Sequence, residues 1–259
     1  MNRVKISLSL FCVLLITTNC TSPLKGRLLE NQNPEYKGYV SPISISVTPE
    51  YKPARYEYEL STVAVSDKSS FEVTAKFNVE TSVMGDLLLW NVKMTSMKRG
   101  SQLFSGKVPL ADYRLLTNKH GKIQEMEISF PAFEQQGKQA GSQDPTWDQL
   151  REEMTKEAKQ SINILNHNPV KSGDWILRNS WNEQELNFVI QGYGFHEGQK
   201  VIVAKFNDSL YVQGMMTDIR GYFLLDAQTY HWTKLEMYFS TTHQGQTVDA
   251  YAVAVAKKF

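Results

Sequence analysis

The chain has 259 residues, 41% of them hydrophobic, with 28 basic and 27 acidic side chains. That hydrophobic share excludes wholesale disorder, and a balanced charge without Lys/Arg-rich clusters excludes the electrostatic footprint of a nucleic-acid binder. Two cysteines, Cys12 and Cys20, are too few for a disulfide-stapled scaffold.

The chain opens with "MNRVK", two positive charges and no acid, followed by the uncharged stretch Ile6 to Ile16. Basic then apolar is the order of a secretory signal, and eleven residues rise only about 16 Å as a helix, too short for a membrane span. Thr17-Thr18-Asn19-Cys20 follows. Cysteine directly after an apolar run resembles the lipobox of bacterial lipoproteins, with Thr17 and Asn19 standing where that motif usually carries Leu and a small residue. The resemblance implies cleavage after residue 19, acylation of the Cys20 thiol, and anchoring in the cell envelope. Cleavage there also discards Cys12 and leaves Cys20 as the single thiol of the mature chain. Two or three acyl chains, each contributing about 0.8 kcal/mol per buried methylene, hold a protein stably on a membrane. Thr21 and Ser22 lack the Asp that marks inner-membrane retention in some bacteria, which favours the outer membrane.

Removing Arg3 and Lys5 leaves 26 basic residues against 27 acidic ones. Residues 20–38 are polar with two prolines and read as the lipidated N-terminus and a tether, leaving 39–259 as a β-rich domain. Phe71, Val73, Ala75, Phe77 and Val79 alternate with polar residues, which predicts a strand with one face buried. Weaker alternation marks Tyr56-Tyr58-Leu60, Met126-Ile128-Phe130 and Leu186-Phe188-Ile190. Turns are predicted at Lys68-Ser69-Ser70, Asn118 to Gly121, His196-Glu197-Gly198 and Asn207-Asp208-Ser209. Ten to twelve antiparallel strands follow from this pattern.

Residues 145–166 read differently. Asp144 is placed as N-cap, Pro145 at the first helical position, and Trp147, Leu150, Met154, Ala158, Ile162 and Leu165 form one apolar stripe. A helix docked on the sheet is predicted. It would join two candidate halves, 39–140 and 169–259, because Tyr113 to Phe130 aligns without gaps on Tyr222 to Phe239, with identities at Tyr113, Leu115, Leu116, Glu127 and Phe130. The expected class is mainly β (α+β), a large curved antiparallel sheet or half-barrel with one long amphipathic helix. Export, an acyl anchor, a large sheet and one helix together resemble the half-barrel lipoprotein carriers and lipid-binding lipoproteins. That architectural resemblance implies an apolar cavity for acyl chains.

Motifs for chemistry are missing. His120, His167, His196, His231 and His243 are scattered without metal-ligand spacing, and no Gly-x-Ser-x-Gly elbow or Gly-rich phosphate loop is present. No catalytic residue, metal ligand or cofactor is assigned. Asp226 in "LLDAQT" lacks the Thr/Ser-Gly of an aspartic protease loop and reads as a turn former. The candidates for a ligand site are Trp175, Trp181 and Trp232. The closing "YAVAVAKKF" ends in Phe259 as outer-membrane barrel strands do, but Lys257 falls in phase with it, which argues against an integral barrel. The alanines at 252, 254 and 256 share one face, suited to close packing. The expected function is a non-enzymatic envelope lipoprotein. Its partners would be the membrane, through its acyl chains, and a hydrophobic small molecule or another envelope protein. The alternatives are a surface-exposed lipoprotein contacting host or matrix molecules, and an enzyme whose site is scattered through the sequence.

Overall fold

The structure is a computed structural model that describes residues 22–42, 50–66, 70–139, 152, 155, 176–181, 184–212, 215–243 and 246–259. In chain order the elements are α1 (Ser22–Glu30), β1 (Ala54–Ser66), β2 (Ser70–Met84), β3 (Leu87–Arg99), β4 (Gln102–Ser105), β5 (Ala111–Thr117) and β6 (Ile123–Ser129). Then follow α2 (Pro131–Gln139), β7 (Ile176–Trp181), β8 (Gln184–His196), β9 (Gln199–Val212), β10 (Met215–Asp226), β11 (Trp232–His243) and β12 (Gln246–Lys258). Among the described residues all twelve strands join one sheet, ordered β6-β5-β3-β2-β1-β12-β11-β10-β9-β8-β7, with the short β4 also on β3. The protein is thus mainly β, and its antiparallel sheet is open, with β6 and β7 at its two edges.

The order follows from the chain's own geometry. Successive strands pair through short hairpins, so each half is a meander that needs no long crossover. Among the described strands, β1 pairs with β12, far apart in sequence, in register from Tyr56↔Lys258 to Ser66↔Val248. This pairing joins the start and end of the meander at the middle of the sheet. The two stretches that align in sequence both fold as hairpins, β5–β6 and β10–β11, and each carries a register irregularity at its turn end, at Leu116/Thr117 and Leu224/Leu225. Their registers differ by one residue: Tyr113 pairs with Ile128, whereas Tyr222 pairs with Glu236.

Alternation assigns the faces. Phe188, Ile190, Ile202, Ala204, Phe206, Ile219, Phe223, Met237, Phe239, Ala250 and Ala252 form one buried apolar cluster, joined by Ala64 of β1. Tyr56, Tyr58, Ala75, Phe77, Val79, Leu88, Trp90, Leu115 and Ala256 continue it over the first half. Tyr230 and Trp232 pack against both clusters and connect them. We call this the inner face. The alanines that share a face at the end of the chain lie on it, buried. The face curves inward: His231, at the β10–β11 turn, contacts Thr81 of β2 although three strand spacings of about 4.8 Å separate β11 from β2.

The outer face is different. Val201, Val203, Tyr222 and Leu224 alternate with the inner set and are covered by Tyr36 and Val40. The stretch read from sequence as a tether is therefore structured. It begins as α1, which buries Leu28 and packs on β1 with β2 and β12 beside it. It then runs as a strap across β10, β9 and β8. Arg220 Nε donates to the Gln32 carbonyl at 2.6 Å, Tyr36 Oη donates to the Phe195 carbonyl at 2.6 Å, and Ser41 forms a two-way backbone bridge with Tyr193. Glycine makes the bridge possible. Gly192 has φ 151°, and a Cβ there would meet the Ser41 carbonyl oxygen at 2.1 Å.

A second expectation is corrected. Asn207-Asp208-Ser209 is no turn but lies inside β9, pairing with Arg220, Ile219 and Asp218. Turn propensity is local and weak. Here the ladder continues on both sides, and Asp208 and Ser209 satisfy one another through Ser209 N to Asp208 Oδ1 at 2.9 Å, with Ser209 Oγ on Asp218 at 2.6 Å. The predicted turns at Asn118–Gly121 and His196–Gly198 are present. The α2 helix had no sequence expectation. It starts on Pro131, with Phe133 packed against Phe130 and Tyr113. The signal segment 1–19 lies outside the described residues, as does the predicted helix 145–166 apart from Glu152 and Thr155, which are helical.

Candidate functional site

Of the sequence candidates, Trp232 and the backbone of Trp181 fall within the described residues, on different strands. Trp232 opens β11 on the inner face, its ring 4.1 Å from that of Tyr58, whose hydroxyl donates to the Trp232 carbonyl at 3.0 Å. Trp181 ends β7, four strands away across the sheet, and only its backbone is described. Trp175 and Cys20 lie outside the described residues. What the structure gathers instead is a group of polar and aromatic side chains at one end of the inner face, where the β5–β6 and β10–β11 turns meet the chain entering β1.

The β10–β11 turn builds it. Asp226 Oδ1 accepts from the backbone N–H of Gln228 at 2.7 Å and of Thr229 at 3.0 Å, the Asx geometry expected of a turn-forming aspartate. Its other oxygen accepts from Lys258 Nζ at 2.9 Å and from Tyr56 Oη at 3.1 Å. Tyr230 takes the left-handed conformation, φ 62°, and closes the turn with its N–H on the Asp226 carbonyl at 2.8 Å. One carboxylate thereby ties the turn to the first and last strands. Burial alone would raise the Asp226 carboxyl, but the Lys258 ammonium and the two backbone donors outweigh it and hold the group below its ordinary value. Burial, reinforced by the neighbouring Asp226 charge, raises the Tyr56 hydroxyl well above its ordinary range.

Next to the turn, His231 is only 1% exposed and surrounded by rings. Tyr51 lies edge-on at 5.3 Å, Trp90 at 5.0 Å and Tyr56 at 5.2 Å between centroids. Nδ1 faces the Thr229 carbonyl at 3.1 Å, so it carries the proton, and Nε2 accepts from the Thr81 hydroxyl at 3.1 Å. Burial drives this imidazole down to about 4, keeping it neutral. Tyr51 closes the end of the face. Its ring packs edge-on against Trp90 at 4.9 Å, and its N–H donates to the Lys119 carbonyl at 2.8 Å. The Lys52 N–H donates to the Thr229 carbonyl at 3.2 Å, so two adjacent residues bridge the two hairpin turns. A Glu50–Lys119 ion pair at 2.6 Å flanks this seam.

The groups in this cluster are mutually satisfied. A neutral histidine, a paired aspartate and a tyrosine held protonated are arranged to hold strands together, and no nucleophile is activated by a neighbouring base. Among the described residues no group of three His, Cys, Asp or Glu side chains is placed to hold a metal ion. Among them, too, no helix is long and apolar enough to cross a membrane. Sequence reasoning missed Tyr51, Lys258 and the buried state of His231. One signal was present: Lys258 falls in phase with Ala252, Ala254 and Ala256, and a lysine on a buried face requires an acid opposite it.

No protein-family model matches the chain, and no curated protein matches it. Among solved structures it is similar to lipovitellin, in a study of lipid–protein interactions, with TM-score 0.44 and 9% identity over 82% of this chain. The match spans only 25% of the lipovitellin chain. It is also similar to a putative outer membrane lipoprotein-sorting protein domain from Vibrio parahaemolyticus, with TM-score 0.26 and 10% identity over 79% of this chain and 85% of the other. A DUF1329 family protein from Desulfovibrio piger matches with TM-score 0.26 and 8% identity over 80% and 85% of the two chains. At such scores and identities these likenesses assign no activity. The class the structure itself defines is an open antiparallel meander with an apolar, inward-curving inner face and a strapped outer face.

Proposed function

We propose that this chain is a non-enzymatic, lipid-anchored envelope lipoprotein whose inner sheet face holds a hydrophobic ligand. The observation that carries the reading is the continuity of that face: apolar side chains run from Phe188 on β8 to Leu115 on β5, with the Lys258–Asp226 ion pair at one end. An inward-curving apolar surface of this breadth suits acyl chains or another elongated hydrophobic molecule. Trp232 and Tyr58, at the junction of the two clusters, are the proposed lining residues at the closed end. The anchor is proposed from the basic and apolar N-terminal order and from Cys20, with the outer membrane as location. Duplication of residues 39–140 and 169–259 is proposed on the aligned identities; both stretches form hairpins whose second strands turn Met126 and Leu235 inward, while the aligned Leu115 and Leu224 of their first strands lie on opposite faces.

The test is intact mass spectrometry of the protein purified from its native membrane, with native extraction of the same sample. An N-terminus at Cys20 carrying acyl mass and a co-purifying lipid are expected. Cys20→Ser is expected to release the protein from membranes, and unchanged retention would overturn the anchor. Absence of any bound lipid, together with failure to take up a fluorescent fatty acid, would overturn the ligand.

A further inference from the structure

Residues 20–38, if unstructured, would let the domain swing freely below its anchor. The structure leaves no such slack. α1 begins at Ser22, two positions after Cys20, and two residues span at most about 7 Å fully extended. α1 in turn is fixed on the outer face. Leu28 is buried, Arg27 pairs with Glu72 at 2.6 Å, and the strap that follows is held by Arg220, Tyr36 and the Ser41–Tyr193 bridge. The helix side turned away from the sheet carries Lys25, Gly26 and Leu29, the last 55% exposed. A Cβ on Gly26 would meet nothing within 4 Å.

We infer that the outer face is the membrane-apposed surface: α1 lies along the headgroups of the bilayer that holds the acyl chains, with Lys25 and Leu29 against it, and the inner face points away. The inference rests on the lipid-anchor reading of Cys20 and adds an orientation to it. The occupant of this surface is the bilayer itself. An anchor within about 7 Å of the helix leaves no space for a protein partner between them, an exposed leucine beside a lysine suits the interface of an anionic membrane, and the strap prevents α1 from lifting off as a hinge. Ligand would then enter the inner face from the compartment, not laterally from the anchoring leaflet.

The test uses the lipidated full-length protein reconstituted in vesicles of phosphatidylethanolamine and phosphatidylglycerol. Acylation occupies the Cys20 sulfur, so Leu29→Cys and, separately, Phe104→Cys each give one reactive thiol for a bimane label; Phe104, on β4, is 42% exposed and falls in phase with the inner face through Met97 and Ala75. Acyl mass is confirmed first. The expected result is at least a twofold stronger quenching at position 29 than at 104 by headgroup-nitroxide lipid, with the reverse order for aqueous iodide. Equal quenching at the two sites in acylated protein would overturn the orientation and leave the anchor standing. Protein recovered without acyl mass would overturn both.

Discussion

The two faces of one sheet are built on opposite principles. The inner face is packed with aliphatic and aromatic side chains, with the Asp226–His231 cluster at one end and the Thr217–Thr241 hydroxyl pair at the other. The outer face carries Tyr222, Tyr238 and Tyr251, with Glu236 accepting from Tyr222 Oη at 2.7 Å and from Tyr251 Oη at 3.1 Å, and Arg220 lying 4.7 Å over the Tyr238 ring. Burial would raise Glu236, but Lys234 and the two tyrosine hydroxyls hold it below its ordinary value. Hydrophobic burial is non-directional and stabilises the sheet as a body. The outer network is directional and fixes where a separate segment, the strap, lies.

That contrast is easiest to break from the inside. Phe223→Ala removes a ring that is 3% exposed and packed edge-on against Phe188 at 4.8 Å, and it should cost about 3–5 kcal/mol. On the outer face Tyr238→Phe, which removes the hydroxyl donated to Asp249 at 2.8 Å, should cost only about 1 kcal/mol. Denaturant unfolding of both variants measures the difference, and equal losses would erase the distinction between the faces.

Acid should act next, through the closed end of the inner face. His231 stays neutral in the folded chain down to about pH 4, whereas unfolded it takes a proton below its ordinary 6.5. The unfolded state therefore binds more protons between those values, and stability falls as pH falls through that window, by about 3 kcal/mol at its lower limit. The lowered carboxyls of Asp226 and Glu236 lose their contribution at still lower pH. Unfolding free energies measured at pH 7, 5.5 and 4.5 should show the slope, and His231→Gln should flatten it.

Asp226→Asn keeps the turn acceptors but removes the charge facing Lys258, which is 29% exposed and can turn to solvent. A loss of about 1–2 kcal/mol in a thermal melt is expected, with the cluster otherwise intact. The smallest effect on global stability should come from Gly192→Ala. Its Cβ displaces Ser41, so cleavage of the strap by added protease should accelerate while the midpoint of sheet unfolding scarcely moves. A parallel fall in the midpoint would make the strap an integral part of the sheet.

Much of the sheet was legible because period-two alternation is a property of single strands. On the face assigned as buried from Phe71 to Val79, Ala75, Phe77 and Val79 are buried while Phe71 and Val73 are half-buried, and Tyr56 and Tyr58 are buried as assigned. The site was far less legible. Trp175, Trp181 and Trp232 were grouped by residue type and nearness in sequence, but strand order places Trp181 four strands from Trp232. The real neighbours of Trp232 come from β1, and those of His231 from β2, β3 and the residues before β1. Residues 20–38 were polar and proline-bearing, so local composition pointed to a linker. Their docking depends on glycines and an arginine more than 150 positions later.

By itself the sequence determined the class of the protein, mostly antiparallel β, and which side of most strands is apolar, because both are written in the alternation of neighbouring side chains. Tertiary structure alone decided that β1 pairs with β12, that Asn207-Asp208-Ser209 remains strand, that Lys258 meets Asp226, and that the N-terminal segment becomes a strap. Each of these is a contact between residues distant in the chain, whose energy overrides a weak local preference and leaves no periodic trace in the sequence.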